Sequence, residues 1–578
     1  MSTAEEREAI LDAARYLRNV RPLDPDELSE YVDGGVHPAV VARVLEEHAV
    51  DLGVVERADG TFVPVPDGPH DGRGPLFGGG SGSSEGRSRR GEPVPGAGPG
   101  RGGPDPKTVE ALPEPYVRRV EDLLVTEFGR DWHRGESGDG LRERIRRVKE
   151  DYYRNREVEY DRTAALGYAV YHLVDYYAAV QYVLAELVQA KQVPRQVRVL
   201  DVGAGVGGPA LGVHDLLFGP PDPTAGSVVA SEDGPDLGGG SDDGLDAGGS
   251  GGSGGGSDGG GDRNGSDGDD GPPTPPALVD YHAVEPSAAA DVLDELLDAT
   301  DPNFRPTVHR TTAEAFDPDG SFDLILFSNV LNELDDPTAV ARHYLNALAP
   351  EGSLVATAPA DRRTSVGLRS VERSLADDGP ATVFSPTVRL WPDRSPTDEC
   401  WSFAERPPVA APPFARKLDE AAESEGEFTK TAVRYSYATL RVDGRRRIDY
   451  APDPDRFAPM AGAGDYVTDR IDLVGVKLSP DLAVPDRGDE RRGSGEGGSA
   501  SGDGDHNPLF LVGDGSQSVD HYAVLVRETS LNRHLRTAAY GDLLVFDGTL
   551  ALWNDDEGAY NLVVDEETVV DGVPAGIH

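Results

Sequence analysis

Beyond position 196 the chain alternates between two hydrophobic patterns. Short apolar runs rich in β-branched residues read as buried strands: 197–202 (VRVLDV), 278–285 (LVDYHAVE), 306–310 (PTVHR), 322–329 (FDLILFSN) and 352–360 (GSLVATAPA). Between them, 288–300 and 337–349 repeat apolar residues every three to four positions and read as amphipathic helices. This alternation predicts a parallel, doubly wound α/β sheet with ligands at the carboxyl ends of its strands. Upstream, 107–192 is helical in pattern throughout. Residues 4–65 show three helical segments, two of them opened by Asp24-Pro25 and by Pro38, then a hairpin around Asp59-Gly60. Three helices and a hairpin predict a winged-helix-like domain. Downstream, 509–513, 519–528, 540–553 and 559–570 alternate as strands and predict a small β domain or barrel, OB-like binding of RNA being one use of it. Its acidic faces favour a structural or protein-docking role.

Between these blocks the pattern lapses. Residues 66–106 are rich in Gly, Pro and Ser and read as a flexible linker. Residues 219–276 and 480–506 are nearly free of large apolar side chains, cannot bury a core, and read as disordered insertions. The expected map is therefore 1–65, 66–106, 107–192, 193–450 and 451–578. The 578 residues carry a net charge of −48, with 55 Lys and Arg of which six are lysine. Abundant carboxylate with scarce lysine fits a halophilic protein, kept soluble in molar salt by its acidic surface. There the Debye length is about 3 Å, so local arginines rather than net charge decide contact with an anionic partner. One cysteine, Cys400, excludes an intrachain disulfide and a multi-cysteine metal site, and no other metal ligand set is expected. No apolar run reaches ~18 residues and no signal peptide is legible, so a cytoplasmic protein without membrane contact is expected, its oligomeric state open.

The first strand ends in a glycine turn, Asp201-Val202-Gly203-Ala204-Gly205-Val206-Gly207. Gly203, Gly205 and Gly207 let backbone approach a ligand, and the following helix presents free amide groups to it. An acid two residues before the first glycine would repel a dinucleotide pyrophosphate but can bind an ammonium group. The turn therefore resembles motif I of class I S-adenosylmethionine (SAM) methyltransferases, with Asp201, Gly203, Ala204, Gly205 and Gly207 at the cofactor. In such folds an acid about 20 residues after the glycines binds ribose. Glu285 stands 78 positions after Gly207, and removing the 58-residue insertion leaves 20. It is the ribose candidate. Ala313 and Glu314 follow the third strand and are candidates beside adenine. After the fourth strand comes Ser328-Asn329-Val330-Leu331, without the two prolines and the aromatic that clamp a base in amino methylases. Asn329, Asn332 and Glu333 remain as the polar groups to meet a substrate, Asn329 also bordering the cofactor. The bland alternative is that they cap the loop-to-helix junction.

Residues 140–162 concentrate Arg142, Arg144, Arg146, Arg147, Lys149, Arg154 and Arg156, and the next segment carries Tyr168, Tyr171, Tyr176, Tyr177 and Tyr182. Arginines can grip RNA, or pair with neighbouring glutamates; the tyrosines read mostly as helix packing. With YAVYHLVDYYAAVQYVL (168–184), NVLNEL (329–334), CWSFAERP (400–407), FARKLDE (414–420) and VRYSYATL (433–440), residues 107–445 resemble the mitochondrial small-ribosomal-subunit assembly methyltransferase-like family and its prokaryotic relatives. The resemblance implies SAM binding and association with the small ribosomal subunit or its rRNA. It leaves open whether the chain transfers methyl groups there or acts as a non-catalytic SAM-binding assembly factor; small-molecule methylation is a third reading. The family's cysteine loop is thought to hold an iron–sulfur cluster. Here the stretch FSPTVRLWPDRSPTDECWSF keeps Cys400 alone, and Ser402 stands where histidine is expected. One thiolate does not hold a cluster, so none is expected. Trp391, Trp401 and Phe403 are expected to pack the loop in its place.

Overall fold

The computed structural model describes residues 3–32, 35–77, 108–153, 160–221, 277–424, 426–484 and 506–573. Most of the linker and both expected insertions lie outside these residues. Helices α1 (Thr3–Leu17), α2 (Pro25–Tyr31), α3 (Pro38–Glu47) and α4 (Ala49–Leu52) precede a hairpin of β1 (Val54–Glu56) and β2 (Phe62–Pro64). Asp24 caps α2 by accepting the Asp26 N–H, with Pro25 in its first turn. Ile10, Leu28, Val41, Leu45 and Phe62 form a separate small core. This unit docks on the amino ends of the central strands: Asn303 exchanges hydrogen bonds with the backbone of Glu56, and Gln196 donates to the Val50 carbonyl.

Residues 66–77 depart from the linker reading. The His70 N–H donates to the Val193 carbonyl, that of Arg73 to Leu216, and Asp71 pairs with Lys191 and Arg195. Buried against this surface, the His70 imidazole is pushed down to about 4. The tether therefore begins at residue 78 at the earliest.

Helices α5 (Glu114–Phe128), α6 (Gly135–Tyr153) and α7 (Arg162–Gln189) follow. The central unit then runs β3 (Gln196–Val202), α8 (Gly208–Phe218), β4 (Leu278–Val284), α9 (Ala289–Leu297), β5 (Phe304–His309), β6 (Phe322–Ser328), α10 (Pro337–Leu345), β7 (Leu348–Pro359), α11 (Arg362–Ala376), β8 (Thr382–Ser385), β9 (Ala404–Arg406), α12 (Pro413–Glu420) and β10 (Val433–Arg441). The sheet order is β5-β4-β3-β6-β7-β10-β8, with β9 paired to β10. Strands β3 to β7 are parallel, and β10 is antiparallel to both its neighbours. Pleating sends Val197 and Val199 to one face and Leu200 and Val202 to the other.

The face under Val199 is covered by α5, α7, α8 and α9, whose side chains share one core with the sheet. The boundary expected at residue 193 therefore does not separate two domains. A Cβ on Gly212 would stand 2.3 Å from Val180 and one on Gly208 2.9 Å from the Leu173 carbonyl, so two glycines let α8 lie directly on α7. Asp215, fully buried, accepts from the hydroxyls of Tyr177 and Tyr116 and locks the pair.

The last unit holds β11 (Arg470–Lys477), β12 (Leu509–Gly513), β13 (His521–Leu525), α13 (His534–Thr537), β14 (Leu543–Asn554), β15 (Ala559–Val564) and β16 (Val569–Gly572). Pairings run β11-β12-β13-β15-β14 and return from β14 to β11, with β13 and β15 parallel. This closes a five-stranded barrel with OB-like order, to which β16 adds a sixth strand. The barrel seats on the loop after β8. Trp391 donates to Asp514, the Cys400 N–H to Asp520, and a Cβ on Gly515 would stand 2.0 Å from the Val388 carbonyl. Trp401 and Phe403 pack together at 5.4 Å in the same loop, as expected.

Candidate active site

The glycine turn lies at the carboxyl edge of the sheet. Gly203 and Ala204 donate their N–H groups to the Val284 carbonyl, which ties the turn to the end of β4. Gly203 has φ +73°, and a Cβ there would meet Val330 at 2.4 Å, so the turn lies against the segment after β6. Gly207 caps α8 at φ +95°. Gly205 differs from both. Its φ is +55°, and no atom of the described residues lies within 4 Å of where its Cβ would stand. Its backbone borders open space. Glu285, one residue beyond β4, accepts the Gly205 N–H at 2.9 Å and the N–H and hydroxyl of Ser287. The residue picked out by spacing arithmetic thus touches the turn it was assigned to.

Asp201 is placed differently from the expectation that it binds an ammonium group. It is 0% exposed beneath the turn, with the Tyr281 hydroxyl donating to Oδ2 at 2.6 Å. Oδ1 is buried with no hydrogen-bond partner among the described residues. Burial, with Glu285 adding to it, pushes the carboxyl up to about 7. So placed, the carboxyl is not positioned to touch a ligand above the turn. Ala313 is buried in the core on the α10 side of the sheet, and its carbonyl accepts from Tyr344; Glu314 beside it is exposed. Both stand just past β5, on the same edge as the glycine turn.

Asn329 ends β6 in the left-handed region, φ +61°, buried, with its N–H on the Thr357 carbonyl. Strain of this kind in a non-glycine residue is found where a site fixes the backbone. The turn Leu331–Glu333 follows. Asn332 Oδ1 is buried without a partner among the described residues. Glu333 is exposed to water. The protein packed around that exposed residue still pushes its carboxyl up to about 7, opposed by a hydrogen bond from Tyr160 at 3.3 Å and assisted by Glu285. Glu333, Glu285, Asp201 and the glycine turn are thus one neighbourhood.

Sequence reasoning missed the opposite wall. Tyr160 meets Tyr168 edge-on at 5.7 Å, Tyr168 lies 5.9 Å from Tyr176, and His172 stacks on Tyr176 at 5.2 Å. Tyr168, Tyr171, His172, Asp175 and Tyr176 are each partly open, on a helix whose middle is otherwise buried. Tyr176 sits against Gly208 at the start of α8, 3.1 Å from its would-be Cβ. Tyr177 and Tyr182 are packing residues, as expected; Tyr168 and Tyr171 also pack against the core but, like Tyr176, stay partly open. The signal was present in the sequence, since 168, 172 and 176 recur one turn apart. On the other flank Lys149 and Lys430 lie 3.6 and 3.8 Å from the Tyr171 ring centre. Burial opposes the Lys430 charge, but Asp175 at 3.3 Å holds the ammonium above its ordinary value. His172 is held well below its ordinary value by burial and by these two lysines, and is neutral.

The basic run of α6 is largely turned inward. Arg142 is buried, pairs with Asp139 and donates to the carbonyls of His133 and Leu418. Arg144 pairs with Asp161, and Arg146 binds Glu427 through two hydrogen bonds. Arg147 is exposed; Arg154 and Arg156 lie outside the described residues. Cys400 is buried, at φ +52°, and its thiol is pushed up to about 12 by burial.

Residues 265–354 match a family described as a methyltransferase domain. Residues 7–58 and 461–573 match the N-terminal and C-terminal domains of a domain of unknown function, DUF8157. No curated protein matches. Similar solved structures include the plantazolicin methyltransferase BpumL in complex with SAH, 9% identical over 56% of this chain and 98% of that one, with a TM-score of 0.24. Others are the magnesium protoporphyrin IX methyltransferase ChlM from Synechocystis PCC 6803 with bound SAM (12%, 45% and 87%, 0.22) and the mitomycin 7-O-methyltransferase MmcR (14%, 62% and 77%, 0.20). The central unit has a Rossmann-like, class I methyltransferase fold: its sheet order and the matched domain agree.

Proposed function

We propose that this chain is a SAM-dependent methyltransferase whose turn from Asp201 to Gly207 holds the cofactor. One observation carries the reading. Gly205 borders open space at the carboxyl edge of the sheet, with Glu285 beside it at the tip of the next strand. The donor set fits: Glu285 can exchange its bond to Gly205 for ribose hydroxyls, and Ala313 and Glu314 flank the adenine end. The cofactor supplies an activated methyl group. The protein's part is to align a nucleophile with it and to take a proton, for which Glu333 is the base. Asn329 and Asn332 orient the turn that carries it.

Calorimetry at molar salt tests the site. Wild type is expected to bind SAM and its demethylated product SAH, and Gly205→Arg, which fills the open space, to bind neither. Equal affinity in the two proteins overturns the assignment. For the acceptor, the family resemblance and the OB-like barrel support the small ribosomal subunit or its rRNA. The inward arginines of α6 are not offered as its contact. Small subunits from a strain lacking the gene, incubated with tritiated SAM and the protein, are expected to take label into rRNA. Label confined to a small-molecule extract moves the acceptor there. SAM binding without transfer to either leaves the non-catalytic assembly role.

A further inference from the structure

We propose that the open face formed by Glu333 with the partly exposed tyrosines 160, 168 and 176 takes a planar ring bearing an exocyclic amino group and presents its nitrogen to the cofactor. This rests on the reading above and narrows its acceptor.

Three observations carry it. First, Tyr160, Tyr168, His172 and Tyr176 offer π faces and edges in one continuous wall beside the glycine turn. Aromatic rings partly open on a helix that buries nearly everything else suit stacking of another ring. The segment after β6 lacks the aromatic clamp of amino methylases; here the rings come from α7 and the residue before it. Second, the polar atoms on the β6 side are acceptors. Glu333 accepts from Tyr160 at 3.3 Å, and Asn332 Oδ1 is buried without a partner among the described residues. A group entering there must donate, and an amino group brings two N–H bonds. A carboxylate or phosphate acceptor would meet Glu333 and Glu285 as like charges and leave those atoms unpaired. Third, the far flank is cationic, with Lys149 and Lys430 around Tyr171, so a ring carrying an anionic substituent points it away from Glu333. In the transfer the amine nitrogen attacks the methyl carbon and forms the N–C bond. The carbon–sulfur bond breaks with its electron pair left on sulfur, and the Glu333 carboxylate takes the proton that nitrogen gives up.

Full-length protein loaded with SAH, which keeps nucleosides out of the cofactor turn, is titrated with four of them. Adenosine and cytidine are expected to bind at least about tenfold tighter than inosine and uridine, whose single ring N–H pairs one acceptor and leaves the other unpaired. Glu333→Gln is expected to erase that preference, and Tyr168→Leu to weaken all four about tenfold; both keep wild-type affinity for SAM. With tritiated SAM, the methyl group is expected on an amine nitrogen. Label in free nucleosides identifies a small-molecule acceptor, and label in small subunits from the deletion strain a base within RNA. Equal binding of the four nucleosides, or a methyl group found on oxygen, overturns the inference while SAM affinity stands. Failure of wild type to bind SAM overturns the function proposed above instead.

Discussion

Two carboxyls, Asp201 buried and Glu333 exposed, are expected to give the proposed site its pH dependence. Asp201 holds its proton up to about 7 in the folded protein, well above an unfolded aspartate, because it is wholly buried and Glu285 lies near. The folded state therefore binds this proton more tightly, and the stability it lends is present in acid and fades as pH rises through 7. Asp201→Asn removes that dependence. Its melting temperature without cofactor is expected to exceed wild type at pH 8, by an amount equivalent to at most about 4 kcal/mol, and the gap to close toward pH 5. A gap independent of pH contradicts this. A cationic ligand favours the ionised form, so SAM affinity is expected to rise with pH through 7 in wild type and stay flat in the variant, by calorimetry. As the base proposed above, Glu333 is expected to act on the rate. It faces Tyr160, Tyr168 and Tyr176 from the α7 side and Glu285 from β4. As a base it works ionised, so kcat is expected to climb to a plateau above pH 7. Glu333→Gln should remove the limb and at least about a hundredfold of the rate.

Among the elements, α6 shows what a one-dimensional charge count leaves out. Its arginines stand out in an acidic chain, but their partners, Glu427 and the Leu418 carbonyl, arrive from more than 270 positions away. Arg142→Ala strands two backbone carbonyls in the interior and is expected to lower stability by about 2–3 kcal/mol. Arg146→Ala, at a half-exposed pair, should lower it by about 1 kcal/mol or less. Thermal melting of both variants checks the order. The strands were legible because each is a run of apolar, β-branched residues, and the turn because three glycines at alternate positions have few other uses. Glu285 was legible because its distance from Gly207 survives removal of the insertion. Tyr160 and Lys430 were not, since each acquires its place from an element distant in sequence. The packing of the α7 tyrosines was legible, but not which of them keep an open edge, because periodicity gives a face without saying what it faces.

At the scale of the molecule, the parts attach to different edges of one sheet. The winged unit sits at the amino ends of the strands, remote from the site, and α8 ends at Gly219, whose N–H returns to the Asp215 carbonyl. Connections between a helix and the next strand need only a few residues. Replacing 222–276 with a short linker is therefore expected to preserve fold and SAM affinity, checked by melting and calorimetry; loss of either shows that the segment contributes to the site. The barrel is another matter. Gly515 lets its chain press onto the Val388 carbonyl, and Trp391 and Cys400 are tied into it from the loop after β8. That seam fixes the separation between the barrel surface and the proposed methyl-transfer site, as the jaws of a caliper are fixed by a set screw. Were the acceptor proposed above to reach both, its span would select it as much as its chemistry, and too short a fragment of it would lose one of the two holds.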